Sequence, residues 1–334
     1  MEVHGHEDDY TNWEHLSESD EENQNNHLVT QIFTANELMI IGLKLVKYTT
    51  QRIKQAKRKT NVERFVGHYG STPEVCAAIF EDLQKANVLE ARIPASKINV
   101  NDFLMALHHL KRYPTELERE PIFDVSRKWG RDLCWYYIEK IRALKHEKIV
   151  WPEDNFGNDI WVLTVDGIHF WIQEPQHPEW SQDSKYFSHK YGKAGLDYEL
   201  GISLTTQQLV WMNGPFPAGS NDVSIFTSKG LKDKLIQAGK KAIGDGGYHG
   251  HHKAISTPNS FDMKIVKKLK GRALKRHETF NNLLKNFKCL DGRFRHSQKR
   301  FADCCEAVCV ICQYQIENNR SLFDVLIDDL ANNQ

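Results

Sequence analysis

Residues 160–172 read IWVLTVDGIHFWI. The run is rich in β-branched and aromatic side chains and is bounded by polar segments, so it reads as a long strand buried in a sheet. One carboxylate, Asp166, sits in the middle of it, within Val165-Asp166-Gly167. A carboxylate in an apolar strand costs free energy unless it is paired or holds a cation, which makes Asp166 the first candidate functional residue.

Downstream of this strand the texture stays α/β. Residues 198–204 and 209–212 read as two more strands, with Gln207 and Gln208 in the turn between them. Pro215, Pro217 and Gly219 break the chain, and residues 222–237 read as a helix whose Val223, Ile225, Phe226, Leu231 and Leu235 are apolar. Residues 240–245 form a short strand that runs into Gly-Asp-Gly-Gly-Tyr, and residues 274–287 and 297–318 read as helices. Three strands, a helix, a strand and a helix imply a β-meander with a parallel strand added through a crossover helix.

Upstream the chain is helical. Leu38, Ile41, Leu45 and Tyr48 share one helical face. Thr72-Pro73 starts a second helix with Val75, Ile79 and Leu83, and Phe103, Leu104, Leu107 and Leu110 mark a third. Residues 113–141 look like a helix-turn-helix. Thr115 caps a short helix, Asp124-Val125-Ser126 makes the turn, and Ser126 caps a second helix that carries Arg127, Lys128 and Arg131 where a recognition helix meets DNA. Pro121 in the first helix and Gly130 in the second depart from that pattern, the glycine costing about 1 kcal/mol against alanine. The expected architecture is therefore an all-helical domain over residues 28–150 and an α/β domain over residues 151–334, with a mixed sheet flanked by helices.

Charge adds a further division. Lysine plus arginine and aspartate plus glutamate both number 44, so the net charge is zero. Residues 1–26 hold nine acidic residues and no lysine or arginine, which leaves the rest of the chain at +9. Such a segment repels itself and lacks apolar residues, so residues 1–27 are expected to be a disordered acidic tail. Residues 44–64 carry eight basic residues against Glu63, and residues 264–300 carry thirteen against Glu278 and Asp291. Two basic runs favour a polyanionic partner. No apolar run approaches the ~20 residues that span a bilayer, so no membrane partner is expected. Seven cysteines in a chain of 334 residues read as reduced thiols of an intracellular protein.

Two more carboxylates join Asp166. Asp245 ends the later strand, and its two following glycines let the backbone turn away and a ligand approach. If that strand lies parallel to the first, both aspartates meet at one edge of the sheet. Glu278 projects from the polar face of its helix with Lys275, Asn281, Asn282 and Lys285. Mg²⁺ and Mn²⁺ take oxygen ligands, and a pair of such ions suits in-line displacement at a phosphodiester. Lys267, Lys268, Arg272, Lys275 and Arg276 are placed to hold phosphates nearby. Other clusters carry less. Cys304, Cys305, Cys309 and Cys312 lie on a helix that is apolar nearly all round and read as core rather than as a zinc site. His249, His251 and His252 read as a solvated loop, and His169 points to the face opposite Asp166.

Four segments in order carry a resemblance. Thr164-Val165-Asp166-Gly167-Ile168-His169, Gly219-Ser220-Asn221-Asp222, Gly244-Asp245-Gly246-Gly247-Tyr248 and Arg276-His277-Glu278-Thr279-Phe280-Asn281 resemble the motifs of PIF/Harbinger-type DDE transposases. The resemblance covers roughly residues 65–325. It implies a ribonuclease-H-like catalytic domain in which Asp166 and Asp245 bind metal and Glu278 is the third acid. Asp222 is a supporting residue, and Asn221 stands where the family commonly has a histidine. The resemblance further implies a transposase that uses two divalent ions, Mg²⁺ or Mn²⁺, to cut DNA at transposon ends and join it to a target, often with a Myb-like partner protein. A homo-oligomer and a nuclear location are expected with it. Lys54, Lys57, Arg58 and Lys59, or residues 267–276, would serve import or face DNA. Two other readings remain: a non-catalytic DNA-binding descendant, and a nuclease that cuts without joining.

Overall fold

The computed structural model describes residues 32–85, 99–152, 159–175, 183–228, 230–318 and 320–325. The acidic segment expected over residues 1–27 lies outside them. The described residues all belong to one compact unit.

The first part of that unit is helical. α1 (Ala35–Leu45) starts at a capping box in which the Thr34 hydroxyl accepts from the Glu37 backbone N–H and the Glu37 carboxylate accepts from that of Thr34. α2 (Thr50–Gln55) and α3 (Arg58–Tyr69) follow. α3 stops at Gly70, with φ 83°, where a Cβ would lie 2.4 Å from the Phe287 ring, so only glycine fits. α4 (Pro73–Lys85) and α5 (Val100–Arg112) complete the first layer.

The expected pair of helices is present as α6 (Glu116–Phe123) and α7 (Arg127–Ala143), with α8 (Lys145–Lys148) behind them. Thr115 and Ser126 cap the two helices as read from sequence. Gly130 has a packing reason: a Cβ there would meet Val125 Cγ2 at 2.8 Å and Arg119 Nε at 3.2 Å, so glycine is what lets α6 and the turn lie close to α7.

The sheet begins with β1 (Trp161–Trp171). β3 (Lys193–Ser203) lies antiparallel beside it, β4 (Leu209–Pro217) antiparallel beside β3, and the two-residue β2 (Phe187–Ser188) pairs with the start of β3. On the other side of β1, β5 (Lys241–Ile243) and β6 (Ile255–Ser256) run parallel to it. The order β4-β3-β1-β5-β6 is the expected meander plus parallel strand, consistent with a ribonuclease-H-like nuclease.

Details differ from expectation for local reasons. The helix expected over residues 222–237 is two helices, α9 (Asp222–Ser228) and α10 (Leu231–Gln237), separated at Gly230 with φ 99°. β4 runs on through Pro215 and Pro217, because a strand with a neighbour only on one side tolerates missing donors. α11 (Lys264–Lys285) begins well before residue 274. α12 (Lys288–Asp291) and α13 (Gln298–Glu317) end the described fold.

Alternation along β1 sorts its two faces. Ile168 and Phe170 join a core shared with α1, α3–α5, α7, α11 and α13. Leu163 and Val165 join a second core under Phe226, Leu231 and Leu235 of α9 and α10. The first core crosses residue 151, for Ile138 and Ile141 of α7 pack in the same cluster as Tyr198 and Phe301. α13 is buried along nearly its whole length, and its four cysteines are free thiols within it.

Candidate functional site

Asp166 sits on the β1 face that carries α11. Two contacts fix the helix against the strand. His277 Nδ1 lies 3.0 Å from Thr164 Oγ1, and Asn281 Nδ2 donates to Asp166 Oδ2 at 3.2 Å. Residues 164 and 166 are one strand repeat apart and residues 277 and 281 one helical turn apart, so the two contacts keep step.

Strand register brings in the second aspartate. Thr164 pairs with Ile243 across the parallel β1–β5 ladder. Asp166 and Asp245 are each two residues farther on, which places Asp166 in the middle of β1, beside the carboxyl end of β5 where Asp245 follows. Asp245 is exposed, and its Oδ1 accepts from the Gly247 N–H at 2.8 Å, capping a short 3-10 turn over Gly246–Tyr248. Asp222 opens α9 and arrives from the opposite face. A Cβ at Gly167 would lie 2.3 Å from Asp222 Oδ1, so the Asp222 carboxylate fills the space a side chain there would occupy.

These acids are poorly compensated. Burial, then the charges of Asp245 and Asp222, push Asp166 up to about 7, and Lys190 is the cation that opposes this. Burial, then Asp197 and Asp245, raise Asp222, again with Lys190 opposing. Glu199 of β3 lies opposite Gly167 in the ladder and is 1% exposed. Burial and Asp222 push it up to about 7, against the hydrogen bond that Trp211 Nε1 donates to its Oε2 at 2.8 Å. The buried Tyr248 hydroxyl has no hydrogen-bond partner among the described residues. Burial raises it well above the ordinary tyrosine range, and Asp222, Glu199, Asp166 and Asp245 add to that rise.

Sequence reasoning does not single out Glu199, Tyr248 or Asn281 as functional. Glu199 carries the same signal as Asp166, an acid inside an apolar strand. Asn281 is visible on the polar face of α11, one turn beyond Glu278.

Glu278 is placed differently from the aspartates. It is exposed on α11, and the residue of that helix that reaches Asp166 is Asn281. Among the described residues no three of histidine, cysteine, aspartate and glutamate converge closely enough to hold a metal ion as they stand. The donor chemistry nevertheless suits a hard divalent cation: oxygen ligands, excess negative charge and high proton affinity beside β1.

The basic residues divide. Lys267, Lys268 and Lys275 are exposed on α11. Arg272 donates to the Asp324 carbonyl. Arg276 does not face phosphate: it is fully buried, and its guanidinium donates to the carbonyls of Ser203 at 2.7 Å and Leu204 at 3.1 Å. On α7, Arg127 pairs with Glu120 at 3.0 Å, and Arg131 approaches Glu116 and Asp132, each at 3.5 Å. Lys128 is exposed. His169 accounts for itself by packing, with Nδ1 2.8 Å from Asp197 Oδ1 and its ring stacked on Tyr191. His249 and His252 are exposed and His251 is half-buried.

Comparison with known proteins gives one match. Residues 165–313 match the DDE superfamily endonuclease family, a span that runs from β1 into α13 and contains Asp166, Asp222, Asp245 and Glu278. The match supports a DDE-type transposase relationship for this part of the chain and points to a metal-dependent nuclease acting on DNA. No curated protein and no solved structure matches. No helix among the described residues is long and apolar enough to cross a membrane.

Proposed function

We propose that the protein is a metal-dependent DNA endonuclease of the DDE type, in the PIF/Harbinger manner, that cuts at transposon ends and joins the freed ends to target DNA. The observation that carries this reading is Asp166, held by Asn281 in the middle of β1 near Asp245 and Asp222 with little positive charge to balance them. In this reading residues 151–334 are the catalytic part and residues 28–150 engage DNA.

Asp166, Asp245 and Glu278 would hold Mg²⁺ or Mn²⁺, with Asp222 supporting them. Two such ions, when bound, supply the Lewis acidity that activates water and stabilises the leaving oxygen of a phosphodiester. Asn281 holds one oxygen of the Asp166 carboxylate by its hydrogen bond. Asp222 occupies the space over Gly167 and adds negative charge near Asp166. Glu278, exposed on α11, would complete the set only by turning toward the aspartates, and the like charges there oppose that approach. Lys267, Lys268 and Lys275, exposed on the same helix, would bind the flanking phosphates. A Myb-like partner, assembly of several copies and a nuclear location belong to the same proposal.

The test is Mn²⁺-dependent nicking of supercoiled plasmid at low salt by the wild type and by Asp245→Asn. Nicking by the wild type alone supports the reading, and equal nicking by both removes Asp245 from the site. One observation favours a second reading, a DNA-binding protein without catalysis: Glu278 does not touch Asp166, Asn281 does. DNA binding without cutting, even with terminal repeats and a partner supplied, would establish that alternative. Cut but never joined products would leave a nuclease.

A further inference from the structure

Arg52 of α2 and Arg64 of α3 converge on one ring. Their guanidinium carbons lie 4.9 and 5.1 Å from the centroid of Tyr48. Arg64 Nη1 donates to Asn61 Oδ1 at 3.1 Å and to the Arg52 carbonyl at 3.5 Å. Asn61 is itself buried and tied down, since its Nδ2 donates to the Ile53 carbonyl at 2.8 Å. Among the described residues neither guanidinium has a carboxylate partner. Two like charges held against one ring repel each other, and an anion between or above them relieves that repulsion. A planar guanidinium fork fits a phosphate by two parallel hydrogen bonds.

The surroundings extend the same charge. Lys44, Lys47, Lys54, Lys57 and Lys59 are all exposed. Lys57 immediately precedes α3, seven residues before Arg64. Lys47 occupies the turn before Tyr48, with φ 69°. Among the described residues, the one member of this basic run with an ion-pair partner is Arg58, which meets Glu74 at 2.8 Å. The α6–α7 pair presents the opposite picture, because Arg127 and Arg131 there are already met by Glu120, Glu116 and Asp132.

We infer that the α1–α3 corner, centred on Arg52 and Arg64, is the surface that takes the phosphate backbone of double-stranded DNA, and that α7 is not. The inference rests on the DNA reading above but concerns a surface apart from the carboxylates.

The experiment is fluorescence anisotropy of the full chain with a labelled DNA duplex in EDTA, titrated from 50 to 200 mM NaCl. Arg52→Gln/Arg64→Gln should lower the slope of log affinity against log salt by about two, roughly one for each phosphate no longer neutralised, and weaken binding about tenfold. Lys47→Gln/Lys57→Gln, which disturbs neither Tyr48 nor Asn61, should lower the slope by a similar amount. Arg52→Lys/Arg64→Lys should restore the slope. The triple variant Arg127→Ala/Lys128→Ala/Arg131→Ala should change it by less than one. An unchanged slope in both double glutamine variants overturns the inference, as does a larger decrease in the α7 variant. Nicking separates this from the proposed function. A wild type that binds but never cuts defeats the enzymatic reading alone. One that cuts while the arginine variants keep the full slope defeats this inference alone.

Discussion

Two groups of buried acids in this molecule are treated in opposite ways. On α13, Asp303 and Glu306 are withdrawn from water, and cations surround them. Arg142 meets Asp303 at 2.9 Å and Glu306 at 3.0 Å, Lys145 meets Glu306 at 2.7 Å, and Arg300 lies 3.6 Å from Asp303. Burial lifts Asp303, and Arg142 and Arg300 pull against it. Around β1, Asp166 and Glu199 receive neutral donors, Asn281 and the Gly167 backbone for the first and Trp211 for the second, and Lys190 is the cation that offsets the neighbouring acids at Asp166. The first group ties α7 and α8 to α13 and so joins the helical part to the sheet part. The second is tied to its neighbours by hydrogen bonds from Asn281 and Trp211, with no ion pair, and its mutual repulsion works against the fold. Poorly compensated acids gathered beside β1 fit the cation-binding role proposed above better than a structural one.

The largest effect should come from removing a charge in the second group. Asp166→Asn keeps an acceptor for Asn281 and removes the central carboxylate. Nicking in Mn²⁺ should fall by about a thousandfold, equivalent to roughly 4 kcal/mol of transition-state stabilisation. Urea unfolding in EDTA should show the variant no less stable than the wild type, because a repelled charge has gone. A variant that cuts normally, or that unfolds more easily than the wild type, would mean the acids around β1 are structural like those on α13.

The reverse experiment is Arg142→Ala. It strips Asp303 and Glu306 of their shared partner at positions where their side chains are 1% and 6% exposed. Lys145 and Arg300 remain, so the cost should sit near the low end for a broken buried ion pair, about 3 kcal/mol. Nicking per folded molecule should not change. Urea melts beside the nicking assay test both halves of that statement.

The sequence reveals one half of this comparison well. Asp166 is legible because β-branched and aromatic neighbours enclose it, and Asp245 because two glycines follow it. Their meeting is legible from strand order, since a parallel strand beside β1 carries its carboxyl end toward Asp166. The four cysteines of α13 are legible as core from the apolar residues around them. What stays hidden depends on contacts between distant segments. Nothing in residues 264–285 says that Arg276 turns inward to the Ser203 and Leu204 carbonyls while Lys275 stays outside. Nothing local says that Asn281 rather than Glu278 reaches Asp166. Gly130 looks like a defect of its helix because the side chains it accommodates, Val125 and Arg119, approach only when α6 folds back.

Glu199 sharpens the comparison through pH. Its folded value of about 7 lies above the roughly 4.3 of an unfolded chain, so between those values the folded state binds the extra proton. Stability from that proton is present at acid pH and is lost as pH rises through about 7. Glu199→Gln keeps an acceptor for Trp211 and is neutral at every pH. Urea unfolding should find it more stable than the wild type by about 2 kcal/mol at pH 8, with the gap closing only as pH falls to about 4. An equal gap at both values would show that packing, not charge, sets the difference.

The smallest expected effect belongs to Asn281, and it separates holding a carboxylate from merely filling space beside it. Asn281→Ala removes the one hydrogen bond that α11 gives Asp166. It leaves Phe280 and Leu284, the buried anchors of that stretch of helix, in place. A single hydrogen bond to a charged group is worth on the order of 1–2 kcal/mol, so kcat for nicking should fall about tenfold. KM for DNA should stay put, because Asn281 faces Asp166 and not the exposed lysines of α11. Asn281→Gln, with a donor on a longer arm, should recover part of the rate. If KM rises instead while kcat holds, Asn281 contacts DNA, and the acid held beneath it is not the one that does the chemistry.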